Sequence, residues 1–342
     1  MNVVIGAGIF GLCIALKLKR EGLDVIILEK NDNILLEASK CNHNRIHFGF
    51  HYPRCINTAI QSKEGYELFR DIFKNSIISQ FKNYYLIEKK SKVNSIDYEL
   101  FCKRLNVYYE KNKYPDINMD FSDIENSFLT KEPIFDYNQM KSILLKKIKE
   151  NNIKILFNTT VDNINQLKQY KNIINCSYVN LNKINDIFNI PLIKLKIQDV
   201  IIPILELSQN KIGLTVMDGE YCSLLPKGNE KNTFLLYNVK YSVIRSKECY
   251  YVPDDWNNNN INIQEKIDAI YEHSSKYYSF LKNCKRISYW RTLRALPINE
   301  NDSRVSSIYI NKTKDKTIYS VLSGKITTSC LIAQNIFNEI KV

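Results

Sequence analysis

Residues 44–54 read NRIHFGFHYPR. Two guanidinium groups (Arg45, Arg54), two imidazoles (His47, His51) and the phenol of Tyr52 lie within this one stretch. The chain has four histidines in 342 residues, and His43, His47 and His51 fall within nine positions. Imidazole has the ordinary pKa best suited to moving a proton near neutral pH. A guanidinium grips a carboxylate or phosphate through two parallel hydrogen bonds. The residue types therefore suit a base that takes an O–H proton beside a cation that holds an anionic group.

Two other readings compete. The i, i+4, i+8 spacing of the three histidines would stack them on a helix face and suggests a metal site. Gly49 interrupts such a helix, Pro53 closes it, and no carboxylate or cysteine set lies nearby, so no metal is expected. Alternatively, the histidines satisfy backbone groups in a packed loop. The concentration of three in nine residues favours a site. Further anion-binding candidates are Arg291, Arg294 and Arg304, in YWRTLRALPINENDSR. Arg291 and Arg294 are three apart and are expected to share a face. For Arg304 a surface salt bridge is expected. Tyr221 and Tyr237, on β-like runs, are candidates for hydroxyls facing a pocket, although with 22 tyrosines most are expected to pack in the core.

Elements to position this stretch lie on both sides of it. The chain opens with an apolar run, NVVI, followed by Gly6-Ala7-Gly8-Ile9-Phe10-Gly11. LCIALKLKREG then shows helical spacing, and DVIILEK reads as a second buried strand ending at Glu29. This is G-x-G-x-x-G between a strand and a helix, inside a βαβ unit of about 30 residues. Gly6 permits the tight turn, Gly8 lets a pyrophosphate approach the helix N-terminus, and Gly11 lets the helix pack on the strand. Glu29 suits ribose hydroxyls and disfavours a ribose phosphate. The motif implies an ADP-containing dinucleotide without separating FAD from NAD. At the other end, IYSVLSGKITTSCLIAQNIFNEIKV reads as strand, turn and amphipathic helix, with Thr327 or Thr328 as N-cap. A helix N-terminus stabilises an anion, and a reduced flavin is one. That favours FAD.

These segments together resemble the D-amino acid oxidase superfamily of FAD-dependent oxidoreductases, the group that includes glycine oxidase, glycerol-3-phosphate dehydrogenase and 2-hydroxyglutarate dehydrogenase. VVIGAGIFG with Glu29 is similar to its N-terminal fingerprint. SVLSGKITTS resembles its G-G-K-x-T-T loop, with Ser323 in place of the first glycine. YNQMKSILLKKIKENNIKILFNTTVDNI resembles its returning helix and strand. IINCSYVN resembles the strand and turn near the cofactor phosphates, with Cys176, Ser177 and Tyr178 where Ala-Gly is usual. Ile46-His47-Phe48-Gly49-Phe50-His51-Tyr52 is similar to an I-H-x-G-x-x-Y pattern that passes the flavin ring.

The resemblance implies a Rossmann-like FAD-binding domain (residues 1–80, 136–195 and 286–342) interleaved with an antiparallel-sheet substrate domain (81–135 and 196–285), that is, α/β plus α+β. It implies cofactor contacts at the fingerprint residues Gly6, Gly8, Ile9, Phe10 and Gly11, and at Glu29 and Lys30. It implies further contacts at Val161 and Ser177, at Arg45 and His47, and along Gly324, Lys325, Ile326 and Thr327. His47, His51, Tyr52, Arg54, Arg291 and Arg294 are the implied catalytic and substrate-binding set. FAD is expected to be held without a covalent bond, with a link through His47 as the alternative. The β-like runs IQDVIIPILEL, KIGLTVMD, EYCSLLPKG and NTFLLYNVKYSV, separated by turn residues, fit an antiparallel meander. The run 257–260, NNNN, reads as a loop.

Composition sets outer limits. The formal charge is +12, with 44% hydrophobic and 25% charged residues. The lysines are spread among Asn and Ile with no block of like charge, so no nucleic-acid partner is expected. No apolar run is long enough to span a bilayer. The opening MNVVIGAG lacks a signal-peptide pattern, and nine scattered cysteines lack a C-x-x-C pair. A cytoplasmic protein with reduced thiols is the expectation. The expected activity is oxidation of a C–H bond next to an amine or hydroxyl of a small anionic molecule such as an amino acid, hydroxy acid or sugar derivative. The alternatives are an NAD-dependent dehydrogenase and a catalytically degenerate flavin-binding module.

Overall fold

The structure is a computed structural model that describes residues 1–257, 261–299 and 303–341. Most of the asparagine run, residues 258–260, lies outside them. The opening strand Asn2–Ile5 is buried throughout. Its apolar run does not alternate because neighbouring elements cover both faces of a parallel sheet. Helix Ile9–Arg20 returns the chain to a parallel partner, Val25–Leu28, in the register Asn2↔Val25. Among the described residues this sheet has six strands. Their order is Ser307–Lys312, Thr317–Leu322, Asn172–Asn175, Asn2–Ile5, Val25–Leu28, Lys154–Leu156. Ser307–Lys312 pairs antiparallel with its neighbour; the other pairs are parallel.

The last helix, Ser329–Lys341, packs against the first, joining Cys330, Ile332, Ala333 and Ile336 to Leu12, Ile14 and Leu16 in one core. Its start corrects the expected N-cap. Residues Ile326–Thr328 form a 3-10 turn, and the Thr328 hydroxyl donates back to the Lys325 carbonyl.

The second sheet has nine strands among the described residues. It includes Lys82–Glu88 and Ile124–Thr130 from the first half of the chain. The long strand Leu195–Glu206 and the run Ile212–Met217, Cys222–Pro226, Thr233–Asn238 come from the second half. The meander is antiparallel, but a parallel pair, Ile212–Met217 with Lys82–Glu88, joins the two halves. Helix Ile263–Ser274 covers one face, with Ile267, Ile270 and Tyr271 packed on Leu214, Leu224 and Leu236.

One boundary differs from expectation. Strand Lys285–Pro297, expected with the dinucleotide unit from 286 onward, pairs along the length of Leu195–Glu206 in the second sheet. The antiparallel partner it matches is about 90 residues distant, which no local pattern reveals. No described helix is long and apolar enough to cross a membrane.

Candidate active site

A cavity of about 710 Å³ opens between the two sheets and takes lining residues from both. That volume lies within the usual range of cofactor and ligand sites, roughly 300–1,000 Å³. One end is built by the glycine turn. Gly6 has φ +102°, and a Cβ there would lie 2.8 Å from the Cys176 carbonyl oxygen. A Cβ on Gly11 would lie 2.0 Å from the Gly6 oxygen, so helix and strand meet in contact. Gly8 differs. It begins the helix without a side-chain cap, and a Cβ there would meet Ser39 Oγ at 3.4 Å. The positive helix end therefore faces the cavity beside Ile9 and Phe10.

Glu29 is buried at the strand end. Its Oε2 accepts the Ala7 N–H at 2.6 Å and its Oε1 the Asn31 N–H at 2.9 Å. Each oxygen keeps a second lone pair for a hydroxyl. Lys30 turns to Glu37 at 3.0 Å. Val161 lines the same end. The Ser177 hydroxyl donates to Asn175 Oδ1 at 2.6 Å, and Tyr178 adopts φ +56°.

The centre of the cavity holds His47, His51, Tyr52 and Lys325. The His47 and His51 ring centres are 5.6 Å apart, and Tyr52 lies 5.5 and 5.4 Å from them. Lys325 Nζ sits 4.6 Å from the centre of the Tyr52 ring. Both histidine Nδ1 atoms are buried and without a hydrogen-bond partner. Burial first, then neighbouring cations, holds both imidazoles well below their ordinary pKa, so the rings are neutral. Burial, then Arg45, lowers Lys325 to about 7. The stretch is turns rather than helix, so the stacking that a metal site would need does not form. His43 lies apart from the pair. Its Nε2 is 2.8 Å from the Leu235 carbonyl and its Nδ1 is 3.3 Å from Ser223 Oγ.

The C-terminal turn completes this wall. A Cβ on Gly324 would lie 1.8 Å from the Arg304 oxygen, so only glycine fits. Its N–H donates to Ser306 Oγ at 2.7 Å. Ile326 lines the cavity. Thr327 is buried next to it, with a hydroxyl that has no partner.

Arg45 is in the lining, and its guanidinium is held there by Glu132 and Tyr85 and donates to Thr215 Oγ1 at 2.7 Å.

At the far end, Arg294 Nε donates to Gln198 Oε1 and Nη2 to the Tyr237 hydroxyl, each at 2.8 Å. No described carboxylate forms an ion pair with Arg294. Ser223, Thr292, Val200 and Ile202 surround it in the lining.

Three other candidates fall outside the lining. Arg291 binds Asp199 through two hydrogen bonds, at 3.0 and 2.8 Å, because residues three apart on a strand face opposite sides. Arg54 donates to Asp218. The Tyr221 hydroxyl donates to Glu88 at 2.7 Å. Arg304, expected at the surface, lines the cavity. So does Ser39, whose hydroxyl accepts the Ile9 N–H from 30 residues away, a pairing without a local signal.

The residues fit an ADP-containing dinucleotide that carries a ring system. Gly8 leaves room beside a helix end for phosphate, Glu29 is poised for a ribose, and the orphaned His47 Nδ1 offers a polar atom where the ring would lie. Comparison with known proteins agrees. A family model described as DAO, FAD dependent oxidoreductase, matches residues 2–311. A curated relative, the FAD-dependent monooxygenase FPY4 of Fusarium mangiferae, is 32% identical over 98 residues, which is 29% of this chain and 26% of the relative. The match thus spans about a quarter of that relative. Glycine oxidase from Geobacillus kaustophilus superposes with TM-score 0.76 at 9% identity, over 98% of this chain and 93% of that one. The FAD-bound L-alpha-glycerophosphate oxidase of Mycoplasma pneumoniae gives 0.73 at 14% identity, over 100% and 94%. At these identities the superpositions speak for the fold.

Proposed function

The chain belongs to the DAO family of FAD-dependent oxidoreductases, and from that premise we propose that it oxidises a C–H bond beside a hydroxyl or amine of a small anionic molecule. The six-stranded sheet with its helices is read as the FAD-binding unit and the nine-stranded sheet as the substrate unit. FAD would be held non-covalently. Glu29 would take the ribose, Gly8 and the helix end the pyrophosphate, and His47, Gly324, Lys325 and Thr327 the ring. When bound, it supplies the acceptor for the hydride lost from the substrate carbon.

The other steps belong to side chains. Arg294 and the Tyr237 hydroxyl bind the anionic group and fix which carbon is presented. His51 or His47, neutral and with a bare Nδ1, takes the O–H proton as the C–H bond breaks. Amine oxidation needs only that the amine arrive uncharged, so a pair of neutral imidazoles favours a hydroxyl substrate such as a 2-hydroxy acid. Tyr52, in the lining, helps to keep water from the reacting carbon.

The observation that carries this reading is the position of Arg294. It is a cation without a carboxylate partner among the described residues, in the lining of the cavity that begins at Glu29 and Gly8. The family match weighs against an NAD-dependent dehydrogenase. The test is a visible spectrum of the purified protein, then anaerobic bleaching with panels of 2-hydroxy acids, amino acids and sugar acids. A flavin spectrum released by acid precipitation and bleached by an anionic substrate is expected. Colour retained in the pellet would overturn non-covalent binding. Bound FAD that no substrate reduces, with His51→Asn indistinguishable from wild type, would favour the degenerate binding module.

A further inference from the structure

The histidine stretch is gripped from behind, away from the cavity. Residues 44–46 pair with 133–135 through backbone bonds from Phe135 N–H to the Asn44 oxygen and from Ile46 N–H to the Pro133 oxygen. Next to that pairing stands Glu132, 1% exposed. Its Oε2 accepts Arg45 Nη1 at 2.7 Å and also the Tyr85 hydroxyl. Its Oε1 accepts the Phe48 N–H at 3.0 Å. One carboxylate thus holds the chain two residues before His47 and one residue after it. The Tyr85 ring that it fixes also packs on His51, with centres 6.3 Å apart. Strand Ile212–Met217 secures the two ends of the stretch, Arg45 through Thr215 and Arg54 through Asp218 just beyond the strand.

We propose that Glu132 is the positioning residue of the histidine pair and the counter-charge that offsets part of Arg45's action on the cavity. The kinetic part of this inference rests on the function proposed above; the structural part does not. The groups facing the cavity centre are Lys325 and Tyr52, with His47, His51 and Arg45 from the stretch itself and Arg304 from the far side. Most of them are cations or bases. Loss of the Glu132 charge leaves the buried Arg45 cation to repel protons from Lys325 and both imidazoles, so each titrates at lower pH. A role confined to packing would leave those titrations in place.

The test compares Glu132→Gln with the charge-free pair Arg45→Met/Glu132→Met in the full chain. Hydrogen exchange of the 45–52 segment, measured without FAD, is expected to rise about tenfold in Glu132→Gln, since Phe48 loses a charged acceptor. The FAD-loaded enzyme is expected to show kcat lowered on the order of 10²-fold with KM nearly unchanged, because Arg294 is untouched. Its pH profile is expected to move down by roughly half to one unit and to return to the wild-type position or above it in the double variant. Wild-type exchange across 45–52 in Glu132→Gln would overturn the positioning role whether or not FAD binds. A pH profile that stays fixed in Glu132→Gln would overturn the counter-charge role. If Glu132→Gln fails to fold, the double variant decides: faster exchange confined to 45–52 supports the inference, and wild-type exchange there refutes it.

Discussion

Replacing Lys325 by methionine is expected to change how stability depends on pH. Burial and Arg45 bring this lysine from 10.5 to about 7 in the fold. In the unfolded chain it returns to its ordinary value. Between those two values the unfolded state binds more protons than the folded one, so stability must rise with pH through that window. At pH 6 both states are protonated and the folded protein carries the whole cost of a desolvated cation. At pH 9 the folded lysine is neutral and part of that cost is gone. Each unit is worth about 1.4 kcal/mol, so the two units from pH 7 to 9 amount to roughly 3 kcal/mol. Lys325 is half-buried on a cavity wall, and solvent screening brings the expected gain to roughly 1–2 kcal/mol. For a chain of this size that is about 3 °C in Tm. Lys325→Met has no such group. The assay is a thermal melt of flavin-free wild type and variant from pH 6 to 9. The variant is expected to be the more stable at pH 6, with its advantage shrinking by about 3 °C at pH 9. A gap that stays constant across the range would refute a desolvated lysine at this wall.

Three further substitutions test the two ends of the cavity. Gly324→Ala puts a methyl 1.8 Å from the Arg304 oxygen and 3.0 Å from the Ser306 nitrogen. Moving that turn costs about 1–3 kcal/mol, and titration of FAD fluorescence is expected to show affinity lowered about 5- to 100-fold with the fold intact by circular dichroism. Glu29→Ala leaves the Ala7 and Asn31 N–H groups without their acceptor, and the same titration is expected to show FAD binding weakened about 10- to 100-fold. Arg294→Lys keeps the charge but loses the planar fork shared with Gln198 and Tyr237. Steady-state kinetics are expected to give a KM about 10- to 100-fold higher for an anionic substrate, with kcat little changed and uncharged analogues unaffected.

What the sequence revealed was what is local. Gly6, Gly8, Gly11 and Glu29 lie within one βαβ unit, so spacing alone places them around a helix end. The Gly324 turn reads equally well, since strand, glycine and helix follow one another directly. Less legible are the residues whose partners are remote. Arg45 looks like an unpaired cation until Glu132, 87 positions on, is seen to neutralise it. Arg291 and Arg294 look like one face while their strand is unrecognised, and that strand is defined by a partner about 90 residues earlier. Arg54 is drawn off by Asp218, 164 positions away, at the end of a strand from the other half of the sheet. Long-range pairing decides where a long, charged side chain points, and no local window contains it.

The order in which the chain visits its sheets bears on how it folds. Asn2–Ile5 has Asn172–Asn175 as a neighbour, and that strand's other neighbour is Thr317–Leu322. Closing contacts over such separations costs loop entropy before burial repays it, so acquisition of the native topology is expected to be slow. The turn at Gly324 follows the last of these strands. A nascent chain therefore exposes the apolar flank of Asn2–Ile5 until those later strands are made, and acquires the wall that would retain a cofactor only after the last of them. Expression at lower temperature, or with chaperones that shield unpaired strands, is expected to raise the yield of folded chain more than added riboflavin does.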